Sequence, residues 1–329
     1  MKAWICTAFG EEPHLIDQDD PVAAPNQVVL KVAACGVNFA DSLILKGTYQ
    51  KRPTGAFSPG FEVSGTVIDV GSDVTGLMVG DRVMAMPDWG GYATKIAVDA
   101  SRVLPLSDDV DFNAAAAFQI AYGTSWFGLK YRATVAPGEL VLVHGAAGGV
   151  GLTAVECAKL LGATVIATAG GAAKCQIARD HGADAVIDYK SENIRDRVRE
   201  IAADLGHQAG VDVVYDPVGG DVFDQSLRCV APGARLLLIG FASGTVPQIP
   251  ANILLVKNVS AMGFYFGAYL DQNPDIARTG MAELVAMLAS GQITPMISRE
   301  FALPGAMDAL AAIADRSATG KLVIRCQDF

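Results

Sequence analysis

Histidine is scarce in this chain, at four residues in 329, and no two cysteines stand as C-x-x-C. His14, His144, His181 and His207 share no metal-ligand spacing, and Cys6, Cys35, Cys157, Cys175, Cys229 and Cys326 are scattered. Neither a cysteine-rich zinc lobe nor a dithiol redox motif is visible. Reduced thiols in a cytosolic protein are the simplest reading, with Cys35 a small buried hydrophobe. Positive charge is also short: 25 Lys and Arg stand against 35 Asp and Glu, a formal net charge of -10. That balance argues against nucleic acid or an anionic membrane as partner. No apolar run reaches the ~20 residues that span a bilayer. Met1-Lys2-Ala3-Trp4-Ile5-Cys6 runs straight into a strand-like pattern, without the apolar core of a signal peptide. A cytoplasmic protein is expected.

Apolar residues are plentiful, at 51% against 18% charged, enough to bury large cores. A chain of 329 residues predicts two domains. Short β-like runs occur at 28–32, 62–70, 82–86 and 92–98, divided by turns such as Asp69-Val70-Gly71-Ser72-Asp73 and Val79-Gly80-Asp81. They predict a compact β-barrel or rolled sheet. The character changes after Leu106. Residues 111–119 are alanine-rich and helical, with Ser107 to Asp111 supplying cap and charge, and a second helix is expected over 124–132. From Leu140 the pattern alternates: strand 141–143, helix from Gly149, strand 164–168, helix 172–180, strand 185–187, helix 192–203, strand 211–215, helix 221–230 and strand 235–239. Alternation of this kind predicts a doubly wound parallel α/β sheet with right-handed crossovers. A strand at 260–266, an amphipathic helix at 276–290, an alanine-rich helix and a strand at 321–325 follow. This tail is expected to fold back onto the first domain.

The alternation starts at Gly138-Glu139-Leu140-Val141-Leu142-Val143-His144-Gly145-Ala146-Ala147-Gly148-Gly149-Val150-Gly151. An apolar run breaks into a glycine-rich turn, which feeds a helix with apolar Val150, Ala154, Val155, Ala158 and Leu161. Strand, glycine turn and helix N-terminus in that order make a phosphate cradle, because N–H groups and the helix dipole face one point. A strict G-x-G-x-x-G fails at its first position, Ala146. Gly148 still lets the backbone approach a pyrophosphate, and Gly151 lets the helix pack on its strand. Gly145 and Gly149 add permissive backbone. The competing reading is an ordinary strand-to-helix turn in a glycine-rich protein; in either case His144, closing the strand, is expected to be a packed turn residue and not a catalyst. NAD sites end their second strand in an acid that holds the ribose hydroxyls. Here that strand ends Ala167-Thr168-Ala169-Gly170-Gly171, and Lys174 follows in the next helix, where a cation suits a 2′-phosphate. NADPH is expected in preference to NADH. Lys174 as a solvated helix residue is the plainer alternative.

Gly138-Glu139-x-x-Leu142, Ala146-Ala147-Gly148-Gly149-Val150-Gly151 and Ala158-Lys159 resemble the zinc-independent quinone oxidoreductase (zeta-crystallin-like) branch of the medium-chain dehydrogenase/reductases. The resemblance runs the length of the chain through Gly36-Val37-Asn38-Phe39-Ala40-Asp41, Pro59-Gly60-Phe61-Glu62-Val63-Ser64-Gly65, Val79-Gly80-Asp81-Arg82-Val83, Asp216-Pro217-Val218-Gly219-Gly220 and Thr319-Gly320-Lys321. Glu156 departs from it, standing where Gln is usual. The resemblance implies a GroES-like catalytic domain over 1–123, completed by 267–329, and a Rossmann NADPH-binding domain over 124–266. It implies cofactor contacts from Asn38, Thr124, Ala147, Gly148, Gly149, Val150, Gly170, Lys174, Tyr189, Gly240, Phe241, Ser243, Phe264, Phe266 and Arg316, with Tyr189 and Arg316 beside the 2′-phosphate. Asn38 and Tyr49 are implied near the nicotinamide and the acceptor carbonyl, Tyr49 donating to developing oxyanion charge. Plainer roles compete: a turn residue for Asn38, a helix N-cap for Thr124, a packing aromatic for Tyr189 and apolar strand packing for Phe264 and Phe266. Gly240, Phe241 and Ser243 follow the strand 235–239, at the carboxyl edge where open α/β sheets bind ligands.

Zinc-dependent relatives carry Cys and His where this chain has Asn38 and Phe61, and a carboxamide and a phenyl ring cannot replace thiolate and imidazole. No metal is expected, and Glu62, kept from the zinc-type pattern, has no assigned role. Without a Lewis acid the site suits acceptors that are already electron-poor. An NADPH-dependent quinone or enone reductase is therefore expected. The alternatives are an enoyl-thioester (acryloyl-CoA-type) reductase and, from another class, an NADPH-binding structural or sensor protein with little turnover. A homodimer is expected, because an apolar edge strand at 260–266 needs covering.

Overall fold

The computed structural model describes residues 1–327. The chain divides into two compact units: Met1–Ile120 together with the segment from Ala286 onward, and Ala121–Val285. Among the described residues no helix is long and apolar enough to cross a membrane.

The second unit is built on six parallel strands. Their order across the sheet is Ala185–Asp188, Thr164–Ala169, Leu140–Val143, Val211–Asp216, Val230–Leu238 and Ser260–Gly263. Numbered along the unit, that is 3-2-1-4-5-6, the doubly wound order whose reversal point lies between the first and fourth strands. Leu140, Val141, Leu142 and Val143 are all fully buried. A parallel strand covered on both faces needs this unbroken apolar run rather than alternation. The core on one side joins Leu140, Leu142, Ile166, Ile187 and Val214 to Val198 and Phe223 from crossover helices. His144 closes the first strand, wholly buried, with Nδ1 3.0 Å from Thr168 Oγ1 and Nε2 2.7 Å from Ser226 Oγ. Burial holds its pKa below the usual value, so the ring is a neutral bridge between elements.

The first unit is a rolled sheet of seven strands. Gln27–Val37 sits centrally, antiparallel to Val63–Val70, to Lys95–Asp99 and to the C-terminal Lys321–Arg325. Its core takes Val28, Leu30 and Val32 from the central strand, Val63 and Val67 from its neighbour, and Leu303, Ala306, Leu310, Leu322 and Ile324 from the tail. The ladder pairs Leu322 with Val37 and Val63 with Cys35. Three segments far apart in sequence are thereby aligned side by side at residues 36–38, 62 and 321.

Several elements differ from the sequence pattern. The helix expected over 124–132 begins earlier, as Gln119–Trp126, and continues as a π-helical turn over Phe127–Arg132. Thr124 is thus inside a helix, not at its N-cap. The helix expected over 221–230 ends at Ser226, since Val230 already opens the next strand. The strand expected over 260–266 stops at Gly263, and Phe266 starts the helix Phe266–Gln272. Its apolar residues leave the sheet because their rings pack on a helix: a Cβ at Gly123 would fall 2.3 Å from Phe266 Cζ. All six cysteines are buried and unpaired.

Candidate active site

The glycine turn is shaped as a cradle. Gly145 adopts φ +60, and Gly148 is the N-cap of the helix Gly149–Leu160 with no side chain to cap it. The first N–H groups of a helix have no partner within it, so those after Gly148 are left for a ligand. A Cβ on Gly151 would fall 2.2 Å from the Gly145 carbonyl oxygen, which explains glycine there by close packing of helix on turn. A Cβ on Gly148 would meet nothing nearer than 3.4 Å, so this position is open. Ala147 is buried beneath it, while Gly149 and Val150 are half-buried. A pyrophosphate fits such a set of donors.

Two loops join the turn at the carboxyl edge. Asp216 accepts from the Val218 and Gly219 N–H groups through Oδ1, at 2.8 and 2.9 Å, and so folds the loop after its strand. The loop after Leu238 runs against it: Ala242 N–H donates to the Pro217 carbonyl and Ser243 N–H to the Val218 carbonyl, at 3.0 and 2.9 Å. Gly219 and Gly220 are needed because Phe241 and Ser243 sit where a Cβ would go. Gly240, Phe241 and Ser243 thus share one edge with the glycine turn, and Phe241 is 37% exposed.

The second strand ends at Ala169, and Gly170, which follows it, is covered by Tyr189, whose hydroxyl lies 2.5 Å from where a Cβ on Gly170 would stand. Tyr189 is 46% exposed. Lys174 occupies the first turn of the helix Ala172–Asp180. Sequence reasoning missed Lys190, whose Nζ is directed at Gly171; its only signal was its place next to Tyr189. Asp188 is turned to the backbone, accepting from Gly171 N–H at 2.9 Å and Lys190 N–H at 3.0 Å. Those bonds hold its pKa below the usual value. A ribose phosphate fits this corner better than a bare ribose diol does. Arg316, in left-handed backbone at φ +59, belongs to the first unit.

Behind the turn, Ser125 Oγ lies 3.0 Å from the Val150 carbonyl, 2.7 Å from Thr153 Oγ1 and 3.1 Å from Tyr215 Oη. Thr124, its neighbour, is 7% exposed. Glu156 accepts from Tyr122 Oη and pairs with His181 Nδ1 at 2.5 Å, so the acid in place of Gln ties three helices together. Phe264 and Phe266 are buried in an aromatic cluster, Phe266 5.6 Å from Phe127 and Phe264 5.2 Å from Tyr269 between ring centroids.

In the first unit, Asn38 caps the helix Phe39–Leu45 and is 8% exposed. Its Nδ2 donates to Glu62 Oε1 at 2.9 Å and, at 3.4 Å, to the Gly36 carbonyl. Its Oδ1 accepts from Lys321 Nζ at 2.7 Å. Lys321 Nζ also donates to Glu62 Oε1 at 2.7 Å and to the Val37 carbonyl at 3.1 Å. Glu62 Oε2 accepts from Ile120 N–H at 2.9 Å. The Glu62 and Lys321 side chains are 0% and 5% exposed. Gly36 must lack a side chain, since a Cβ would stand 2.1 Å from the Ala116 carbonyl oxygen and 2.6 Å from Glu62 Oε1. Tyr49 is half-buried and packs on Phe61, ring centroids 5.0 Å apart, in a cluster with Ile44, Phe57 and Trp89. Both residues implied at the acceptor are therefore gathered on the Phe61-Glu62 step. Among the described residues no group of His, Cys, Asp and Glu is arranged to hold a metal ion.

Residues 24–108 match the alcohol dehydrogenase GroES-like domain, and 149–286 match the zinc-binding dehydrogenase family. Quinone oxidoreductase-like protein 2 homolog of Nematostella vectensis is 43% identical over 98% of this chain and 88% of its own length. The chain belongs to the quinone oxidoreductase branch of the medium-chain dehydrogenase/reductases. Escherichia coli quinone oxidoreductase, solved in complex with NADPH, superposes with a TM-score of 0.91 at 29% identity, covering 99% of this chain and 100% of that one. The CurK enoyl reductase has the same architecture, with a TM-score of 0.85 at 25% identity over 98% of this chain and 99% of that one.

Asp41 anchors the site loop and carries a pH dependence. Wholly buried, it accepts from Asn38 N–H at 2.7 Å, Gly60 N–H at 2.9 Å and Tyr92 Oη at 3.2 Å. Burial outweighs these bonds and pushes its carboxyl up to about 7. Between about pH 4 and about pH 7 the folded chain keeps a proton that the unfolded chain has lost, so this group's contribution to stability falls as pH rises. Urea unfolding of Asp41→Asn across that range should show a flatter loss of stability with pH than wild type; parallel curves would contradict it.

Proposed function

We propose that this protein is an NADPH-dependent reductase of quinones and related conjugated carbonyls, working without a metal ion. The observation that carries the cofactor reading is the second-strand corner, where Gly170 lies under the Tyr189 hydroxyl with Lys174 and Lys190 close in sequence and no acid ends the strand. The NADPH complex of the E. coli relative supports it. Gly148, Gly149 and Val150 would hold the pyrophosphate by backbone N–H groups, with Ala147 beneath and Gly240, Phe241 and Ser243 on the adjoining loops. Lys174, Tyr189 and Arg316 would take the 2′-phosphate. Thr124, Phe264, Phe266 and Asn38 would border the nicotinamide. When bound, NADPH supplies the hydride; the chain supplies orientation and donors.

For the acceptor, Tyr49 presents a phenol on an aromatic bed of Phe61 and Phe57. Lys51, two residues on, pairs with Asp88 at 2.7 Å, and Arg102 pairs with the same oxygen at 2.8 Å, so one positive charge is left over beside the bed. An apolar aromatic bed of this kind suits a flat neutral ring. The likeness to CurK supports enoyl-thioester reduction as the second reading. The paired absence of disulfides and burial of all six thiols fits a reducing cytoplasm.

NADPH oxidation followed with ortho- and para-quinones, simple enones and crotonyl-CoA tests the reading. Faster turnover with quinones than with crotonyl-CoA is expected; the reverse order favours the thioester, and binding without turnover on any acceptor favours a sensor. Tyr49→Phe should lower kcat about 100-fold, the scale of a lost acid or oxyanion donor; an unchanged rate removes Tyr49 from that role. Wild type should prefer NADPH over NADH, and Lys174→Ala should cut that preference about tenfold. Equal use of both cofactors by wild type would refute the phosphate corner.

We also propose a homodimer. Ser260–Gly263 is the last strand of its sheet, and Leu255 and Val256 just before it are 75% and 76% exposed. Light scattering should give twice the chain mass; a monomer at micromolar concentration would rule this out.

A further inference from the structure

Glu62 and Lys321 have no part in the reading above. Both are charged and nearly shut off from water, an arrangement that is costly unless every donor and acceptor is used. Here they are. The ammonium spends its three hydrogens on the Val37 carbonyl, Asn38 Oδ1 and Glu62 Oε1, and the carboxylate takes Lys321 and Asn38 on one oxygen and Ile120 N–H on the other.

This pair decides the polarity of the Asn38 carboxamide. The two ends of an amide have nearly the same shape, so packing alone does not distinguish them. An ammonium can only donate and a carboxylate can only accept. With Lys321 on one side and Glu62 on the other, the oxygen must face Lys321 and the NH2 must face Glu62. Turning the amide over would set its NH2 against the ammonium and its oxygen against the carboxylate, two repulsive contacts in a dry site. One N–H is then fixed on Glu62, and the other meets only the Gly36 carbonyl at 3.4 Å, beyond good hydrogen-bond range.

We propose that Lys321 and Glu62 are positioning residues for Asn38: the buried ion pair locks the carboxamide in one orientation and so presents its second N–H, always as a donor, to the acceptor oxygen. The inference rests on the reductase reading for the last step only. Where zinc-dependent relatives carry a thiolate on a divalent ion, this chain carries an amide oxygen on an internal ammonium. The cation no longer touches the reacting oxygen. It acts through Asn38, which offers a neutral donor aimed at developing negative charge.

The test is a cycle in kcat. Glu62→Gln with Lys321→Met removes both charges together at nearly constant volume, which avoids stranding either one in the core. Asn38→Ala should cost about 30-fold in kcat in the wild-type background and less than about threefold in the paired variant, because the pair acts through Asn38. An undiminished 30-fold loss in the paired variant would overturn the proposal, since a purely structural pair leaves the worth of Asn38 intact. A second measurement needs no turnover. With asparagine labelled by 15N, the Asn38 side-chain NH2 should give one slowly exchanging pair of resonances in wild type, and should exchange at least tenfold faster in the paired variant. Unchanged exchange would refute the lock. Failure of wild type on every acceptor would defeat the reductase reading alone, and the amide resonances would still decide the orientation.

Discussion

A lysine ammonium and a glutamate carboxylate almost out of reach of water set the terms for the first unit. Their burial is tolerable only because every ammonium hydrogen of Lys321 and both carboxylate oxygens of Glu62 find a partner. That requirement reaches outward. Gly36 has no side chain, which admits the Ala116 carbonyl as well as Glu62, and the ladder must bring residues 321 and 62 to either side of the central strand. Folding of the tail onto the first sheet is therefore a chemical necessity as well as a packing preference. A first unit without the tail would keep Glu62 buried and uncompensated.

The second unit obeys a different constraint, the meeting of backbone with backbone at the carboxyl ends of parallel strands. Glycine recurs there for distinct reasons. Gly151 lets a helix touch a turn, Gly170 makes room for the Tyr189 hydroxyl, and Gly219 and Gly220 admit Phe241 and Ser243. Gly148 is different, because a Cβ there would meet nothing nearer than the Gly145 carbonyl oxygen at 3.4 Å. A cradle of this kind holds its ligand with N–H groups whose positions are fixed by the fold, not by side-chain rotamers, and so needs little ordering on binding.

Much of this was legible from the residues. Apolar runs broken by glycine and followed by helical periodicity leave few options, so the alternation from Leu140 onward and its parallel sheet could be read directly. Boundaries were harder where tertiary packing overrides a local pattern. Phe264 and Phe266 continue an apolar strand in sequence, yet their rings are drawn onto the helix that contains Gly123, and the chain leaves the sheet early. Thr124 has the composition of an N-cap but stands inside a helix that starts at Gln119. The Lys321 and Glu62 pair was not legible at all. The two residues are 259 positions apart, and only strand register makes them neighbours. The glutamate could be noticed as a carboxylate without a task; its partner could not be named.

Asn38 and Phe61, where zinc-dependent relatives carry Cys and His, leave an electrostatic problem as well as a chemical one. A carboxylate retained beside the former ligand positions would be an unpaired buried charge, costly by several kcal/mol. Two remedies exist: replace the acid with an apolar residue, or bring in a cation that is part of the chain. This protein has the second, and the choice has a consequence that the first would lack. An internal ammonium cannot polarise a substrate it does not touch, but it can impose direction on an amide that otherwise has none. In the proposed reading a fixed hydrogen-bond donor would stand in for Lewis acidity, enough for acceptors whose carbonyls are already electron-poor and too little for reactions that must stabilise a full alkoxide.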